Sequence, residues 1–520
     1  MNISKKQIFY FIIVLTILFY LISFFDKASA TGFLLLLFLT FATFFIIYKT
    51  GVKDRGIYMV FLMAILVHLG AVLFIYYSDF KPFGGGADFQ SYNKIATEIA
   101  HRFWQGNFSL DGLYTEHFFP VLIGILYMIT LPSMIIGQIF TVWLAAISIL
   151  LAYLIVIEIG GTKKIAFLAS VIIIFYPSYL YFGSVLLKDT IVIPLALAGV
   201  LLMLKIAKNF SWIKFLLFFI VLTCLINLRF YIGYALMFTF IVSWPLLSRL
   251  VIKEKVICWL TIIFILGFSP QIVGNGYYAS DSFKKLLNPK SITYYREVVY
   301  NNLPSNPQPE PSITPQPITS QPITPQPTNP LVVLPQPVIV SQPSPLQQEP
   351  PQQEFNGGGS NFELETGFNG GILKFLKNSF QSFFYSLLGP FPWQIKYSRQ
   401  IVALGETIPW YLLIIISIYG SIRFIRKKGI LYFSKFYKFS LPLLMFSILA
   451  LGALSLFINN YGIIARIRMP VFICLISMMF ISFNDDIENY YKKIYEKIFN
   501  NRRSRFHWVS FFRSDFKAGA

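Results

Sequence analysis

The sequence predicts an all-α protein threaded repeatedly through a membrane, and three observations carry that prediction. Of its 520 residues, 56% are hydrophobic and 13% charged, against about 25% charged in soluble domains. Apolar runs recur from end to end at the length of about 20 residues that a bilayer-spanning helix requires. The 43 Lys and Arg outnumber the 23 Asp and Glu, for a formal charge of +20. They fall in short clusters between the apolar runs, as in the cytoplasmic loops of membrane proteins. That distribution argues against a nucleic-acid binder, and the amount of apolar surface argues against a soluble enzyme.

Taken in order, the runs place helices at 8–25, 33–48, 57–77, 137–157, 165–183, 189–207, 212–228, 230–248, 256–273, 402–423, 436–457 and 468–483, about 12 spans of about 20 residues each. The first follows Lys5 and Lys6 and precedes Ala28-Ser29-Ala30, as a signal peptide would. It is long enough to span and a second run begins at Phe33, so an uncleaved helix is expected. The basic clusters Lys5/Lys6, Lys49/Lys53/Arg55, Lys163/Lys164, Lys205/Lys208/Lys214, Arg249/Lys253/Lys255 and Arg423/Arg426/Lys427/Lys428 all fall on the cytoplasmic side if 118–136 does not cross. That segment holds Pro120, Gly124 and Pro132 and is expected to be an interfacial or re-entrant helix in the first large outer loop. Both termini are then cytoplasmic. The stretches 78–136, 274–401 and 458–467 face outward, together with the Asp189 end of its helix.

The chain divides into two extra N-terminal helices (1–56), a transmembrane module (57–273), an outer loop (274–401), C-terminal transmembrane helices (402–483) and a basic tail (484–520). Within the outer loop, 304–353 holds 16 of the 29 prolines and only two charges, Glu310 and Glu349. Such a composition predicts an extended polyproline-II-like spacer. It is read as a tolerated insertion, the alternative being a polymer-binding or wall-spanning arm. Cys224, Cys258 and Cys474 each lie inside an apolar run, without metal-ligand spacing or a disulfide pattern.

Chemistry-bearing residues collect on the outer side. Gly84-Gly85-Gly86-Ala87 leads into Asp88, which opens an amphipathic helix; an acid there is favoured by capping and by the helix dipole. The glycines do not form a phosphate loop, because no strand precedes them and no Gly-Lys-Ser/Thr follows. Glu116-His117-Phe118-Phe119-Pro120 starts the interfacial segment, and Lys188-Asp189 lies in strongly apolar surroundings, where ionisable groups mark functional sites. Arg229 is another outer cation. Gly389-Pro390-Phe391-Pro392-Trp393-Gln394 reads as a turn with an interfacial aromatic anchor, and Glu406 follows it. Arg466 and Arg468 break the positive-inside pattern, and arginine forks bind phosphate well; anchoring at the headgroup level is the alternative.

The order helix, outer Asp88, amphipathic helix, His-Phe-Phe-Pro, two helices joined by Gly160-Gly161-Thr162-Lys163-Lys164, then Leu187-Lys188-Asp189 resembles membrane glycosyltransferases of the GT-C fold that use polyprenyl-phosphate sugars. Aminoarabinose transferases and family-39-like protein O-mannosyltransferases are examples. The pattern is most similar over 165–204, with Pro177, Ser184 and Asp189, and extends over 57–210.

The resemblance implies an inverting glycosyltransferase with Asp88 and Asp189 facing one cavity as catalytic acids or as ligands of a divalent cation, Mg or Mn. Asp88 is followed by Phe89 where relatives often carry a second acid, which sets the metal apart from the rest of the resemblance. Lys188, Glu116, His117, Arg229, Arg466 and Arg468 are the expected substrate-binding residues. The implied partners are a polyprenyl-linked sugar donor, an envelope glycan, lipid or protein acceptor, and the bilayer of the plasma membrane, with no nucleic acid. Two other functions fit the outer arginines and large outer loop: a polysaccharide polymerase or ligase using polyprenyl-pyrophosphate-linked repeat units, and a lipid-linked glycan transporter. The transporter fits less well, since the deep helices are nearly all apolar apart from His68 and no internal repeat is visible.

Overall fold

The computed structural model describes residues 26–51, 54–80, 88–113, 118–248, 251–272, 371–394, 398–458 and 460–489. Among them the chain is helical, without a β-strand element. In chain order the helices are α1 Lys27–Lys49, α2 Arg55–Ser78, α3 Asp88–Trp104, α4 Phe119–Ile129, α5 Met134–Glu158, α6 Lys163–Ile174, α7 Pro177–Phe182, α8 Asp189–Lys208, α9 Trp212–Leu228, α10 Phe230–Leu247, α11 Ile252–Ile272, α12 Ile372–Leu388, α13 Ser398–Lys428, α14 Ile430–Phe436, α15 Leu441–Phe457, α16 Tyr461–Ile467 and α17 Met469–Met479.

Eight of the described helical segments are long and apolar enough to cross a membrane. They lie over α1, α2, α5, α8, α10, most of α13, α15 with the turn before it, and α17 with its continuation to Asn489. The chain is therefore a helical membrane protein. Of the twelve spans read from sequence, 8–25 lies outside the described residues. The 212–228 run forms α9, a shorter helix of 17 residues.

One expected span is corrected. The 165–183 run is two helices, because Tyr176 takes an extended conformation ahead of Pro177, the first residue of α7. Proline lacks the N–H a continuing helix needs and disfavours the α region for the residue before it. The break steers the chain into the loop that carries Lys188. α4, at 11 residues, is about 16 Å long, well short of the ~30 Å hydrocarbon core, and it packs along α3.

Helix starts follow simple capping. The Asp26, Asp54 and Thr162 side chains accept from backbone N–H groups at the starts of α1, α2 and α6. Asp88 and Asp189 occupy the first turns of α3 and α8, and Lys205 and Lys208 the last turn of α8, complementing the helix dipoles. α5 and α8 are the most buried spans and form the centre. α5 packs against α1, α2, α6 and α8, while α8 packs against α9, α10 and α17. α15 joins α10, α12 and α17, which brings the C-terminal helices against the earlier ones around the end where α8 begins.

Candidate functional site

Four short pieces of chain converge at that end. The first is the loop from α7 into α8. Gly183 sits where an added Cβ would lie 2.6 Å from the Tyr179 carbonyl oxygen and 3.0 Å from His68 Cε1, so only glycine lets the loop pass this close. Ser184 Oγ and His68 Nδ1 lie 3.2 Å apart and fix the loop against α2. Lys188 and Asp189 follow, both buried.

The second piece is the junction of α9 and α10. Arg229 ends one helix and begins the next. Its fork donates to Asp189 through Nε to Oδ1 (3.0 Å) and Nη2 to Oδ2 (3.1 Å), the bidentate geometry of a strong charge-assisted pair. The third is α16, capped by Asn460, whose side chain accepts from the Ile463 N–H. Its Arg466 lies between two acids. Nη1 donates to Asp88 Oδ2 at 2.7 Å, and Nε stands 2.9 Å from Asp189 Oδ2. The latter is a close ionic contact without hydrogen-bond alignment, since Nε has no hydrogen-bond partner. The fourth piece is the start of α3, which supplies Asp88.

The sequence-predicted residues Asp88, Asp189, Lys188, Arg229 and Arg466 thus form one ionic cluster, although Asp88 and Arg466 are 378 positions apart. Lys188 is only 6% exposed, and among the described residues it has no acid at ion-pair distance. Burial, and then the neighbouring Arg229 charge, push its ammonium pKa down to about 6. The cluster holds three basic side chains and two carboxylates. It presents a carboxylate at a half-exposed rim (Asp88) and an unmatched basic group within.

Arg468 goes elsewhere. It points into a second, buried cluster that serves as a clamp. Nη2 donates to Glu406 Oε1 (3.0 Å), and Nη1 donates to the carbonyls of Ser386 (3.0 Å) and Gly389 (2.9 Å). Tyr176 OH donates to the same Glu406 oxygen (2.8 Å). The guanidinium lies 4.4 Å from the Phe472 ring centroid. Trp410 Nε1 and Tyr411 OH donate to the carbonyls of Leu387 and Leu388. The C-terminal carbonyls of α12, which have no helical partner, are therefore capped by side chains of α13 and by Arg468, a cation suited to that end of the dipole.

Glu116 and His117 lie outside the described residues. Sequence reasoning missed Tyr92, and it named Gly389 and Glu406 without linking them to Arg468. Tyr92 is one helical turn beyond Asp88 on the buried face of α3. Burial, and then the Asp88 charge, raise its phenol above the ordinary value. The signal for Tyr92 was the i,i+4 spacing from Asp88. For Glu406 it was a lone acid within an apolar run.

The arrangement does not fit a divalent cation between Asp88 and Asp189. Arg466 already occupies the space between the two carboxylates, Arg229 holds the other side of Asp189, and the basic groups outnumber the acidic ones. Among the described residues no group of three or more His, Cys, Asp or Glu converges. Compared with known proteins, the chain matches no family model and no curated protein.

Proposed function

We propose that the chain is a membrane glycosyltransferase that moves a sugar from a polyprenyl-phosphate donor to an envelope glycan, lipid or protein acceptor. The observation that carries this reading is the meeting of Asp88, Asp189, Arg229, Arg466 and the unmatched Lys188 at one end of the helix bundle. Asp189 opens α8 and Lys205 and Lys208 close it, and by the positive-inside pattern this supports a reading in which the site lies on the outer face of a plasma membrane.

In this reading the acceptor hydroxyl oxygen attacks the anomeric carbon. The bond from that carbon to the phosphate oxygen breaks, and the leaving lipid phosphate keeps the electron pair. Asp88, at the open rim, takes the acceptor's proton as general base. Lys188, Arg229 and Arg466 face the charge that develops on the departing phosphate. Asp189 holds both arginines in place. No step requires a metal.

The test is transfer of radiolabel from polyprenyl-phosphate sugars in membranes, with wild type beside Asp88→Asn. Label reaching an acceptor with wild type alone supports the reading. Equal transfer by both, at equal protein levels, removes Asp88 from the site, and no transfer by wild type from any such donor overturns the function.

A further inference from the structure

If Asp88 is the base, its position in the resting site requires explanation, because the carboxylate is held by a guanidinium at 2.7 Å. The two contacts of Arg466 are unequal. Its partner Asp189 is a buried side chain, 5% exposed, also gripped by Arg229. Its partner Asp88 is 49% exposed while Arg466 itself is 15% exposed, so water reaches one side of this pair and screens it more than the buried one. Arg466 can therefore exchange the hydrogen bond to Asp88 for one to another anion while keeping its ionic contact with buried Asp189. Beside it, Lys188 is buried without an acidic partner among the described residues, and since Asp88 and Asp189 are already matched by Arg229 and Arg466, a proton on Lys188 has no counter-charge in the cluster. A phosphate supplies that counter-charge, and a guanidinium fork can bind it bidentately.

Resting on the proposed function, we propose that the Arg466–Asp88 contact is a latch opened by the donor's phosphate. The phosphate seats against Lys188 and Arg466, Arg466 keeps Asp189 and releases Asp88, and the freed carboxylate accepts the acceptor's proton. Binding is thereby ordered, donor before acceptor, and the base is withheld until a donor is present. No bond is made or broken in the exchange; one ion pair replaces another.

The full-length protein in lipid nanodiscs tests this by labelling with a water-soluble carbodiimide and glycine ethyl ester, read at Asp88 by peptide mass spectrometry. Buried Asp189 serves as the internal control. The probes are undecaprenyl phosphate and inorganic phosphate, and retention of radiolabelled undecaprenyl phosphate is measured in parallel. A minor open state is populated at about 10% or less, so full opening raises labelling of Asp88 by about tenfold or more, with Asp189 unchanged. Arg466→Gln, and Arg466→Lys as a milder variant, should label Asp88 rapidly without any probe and show no further rise. A rise with the lipid alone assigns the opening ligand to the lipid donor; an equal rise with inorganic phosphate assigns it to any phosphate. Retained undecaprenyl phosphate with unchanged Asp88 labelling overturns the latch and leaves the active-site reading standing. If wild type neither retains the lipid nor transfers label from its sugar conjugates, the proposed function falls and the latch falls with it.

Discussion

Arg466 and Arg468 lie two positions apart and belong to different machines. Arg466 bridges two carboxylates supplied by α3 and α8, one of them half-exposed. Arg468 is buried against Glu406, two carbonyls and an aromatic ring. At about 100° per residue, side chains two apart point to nearly opposite sides of a helical segment, so one cannot follow the other into a shared pocket. Around Arg466 the charges are incompletely matched, which suits a place where a ligand must enter. Around Arg468 both Nη groups are matched by the acid and the helix carbonyls, only Nε lacking a partner, which suits a fixed joint between α7, α12, α13 and α17. The lesson is that the neighbours, and not the residue type, separate chemistry from scaffolding.

This division can be broken experimentally. The largest expected effect is on the cluster side. Asp88→Asn should lower transfer by about 10²- to 10⁴-fold, the span of a lost general base, with an unchanged melting temperature because Asp88 is half-exposed and Arg466 retains Asp189. A lowered melting temperature would mean that Asp88 also carries the scaffold. Next comes the clamp. Glu406→Ala strands Arg468 without its carboxylate and should cost about 3–5 kcal/mol, seen as a lower midpoint in thermal unfolding, with Glu406→Gln milder. Lost transfer at an unaltered midpoint would instead move Glu406 into the site.

A smaller effect is set by pH. Lys188 in the free site has its pKa lowered to about 6. Below that pH the ammonium is already present when an anion arrives. Above it, binding must take up a proton. The dissociation constant of a polyprenyl-phosphate sugar, whose diester charge is constant, should be flat below pH 6 and rise by up to about tenfold per unit above it. Lys188→Gln should bind weakly at every pH, and a wild-type profile without slope would show that Lys188 does not meet the anion. The smallest effect on transfer belongs to Tyr176→Phe, which deletes one hydrogen bond to the Glu406 carboxylate and should cost about 1.5–3 kcal/mol of stability with transfer unchanged.

The membrane class was legible because apolar run length is a local property, and α3 was legible from Asp88 followed by an amphipathic stretch. The break before Pro177 was equally visible in principle, but a continuous apolar run hides a proline that starts a new helix. The convergence of Asp88, Asp189, Arg229 and Arg466 was suggested by sidedness and resemblance alone, since no local pattern links positions so distant. Arg468 drew attention for the same reason as Arg466, its charge on the outer side. Its assignment to the clamp depended on Glu406, Ser386 and Gly389, whose approach is set by packing of α12 and α13 that no spacing in the sequence reveals.

The grip of two arginines on Asp189 has an evolutionary consequence. Substituting the acid alone would strand Arg229 in a buried place and leave Arg466 only the half-exposed Asp88, while substituting either arginine alone would leave the acid partly held. Effects at such contacting positions do not add. Drift at the three positions should therefore be coupled, with either arginine able to change before the acid and the acid unable to change before them.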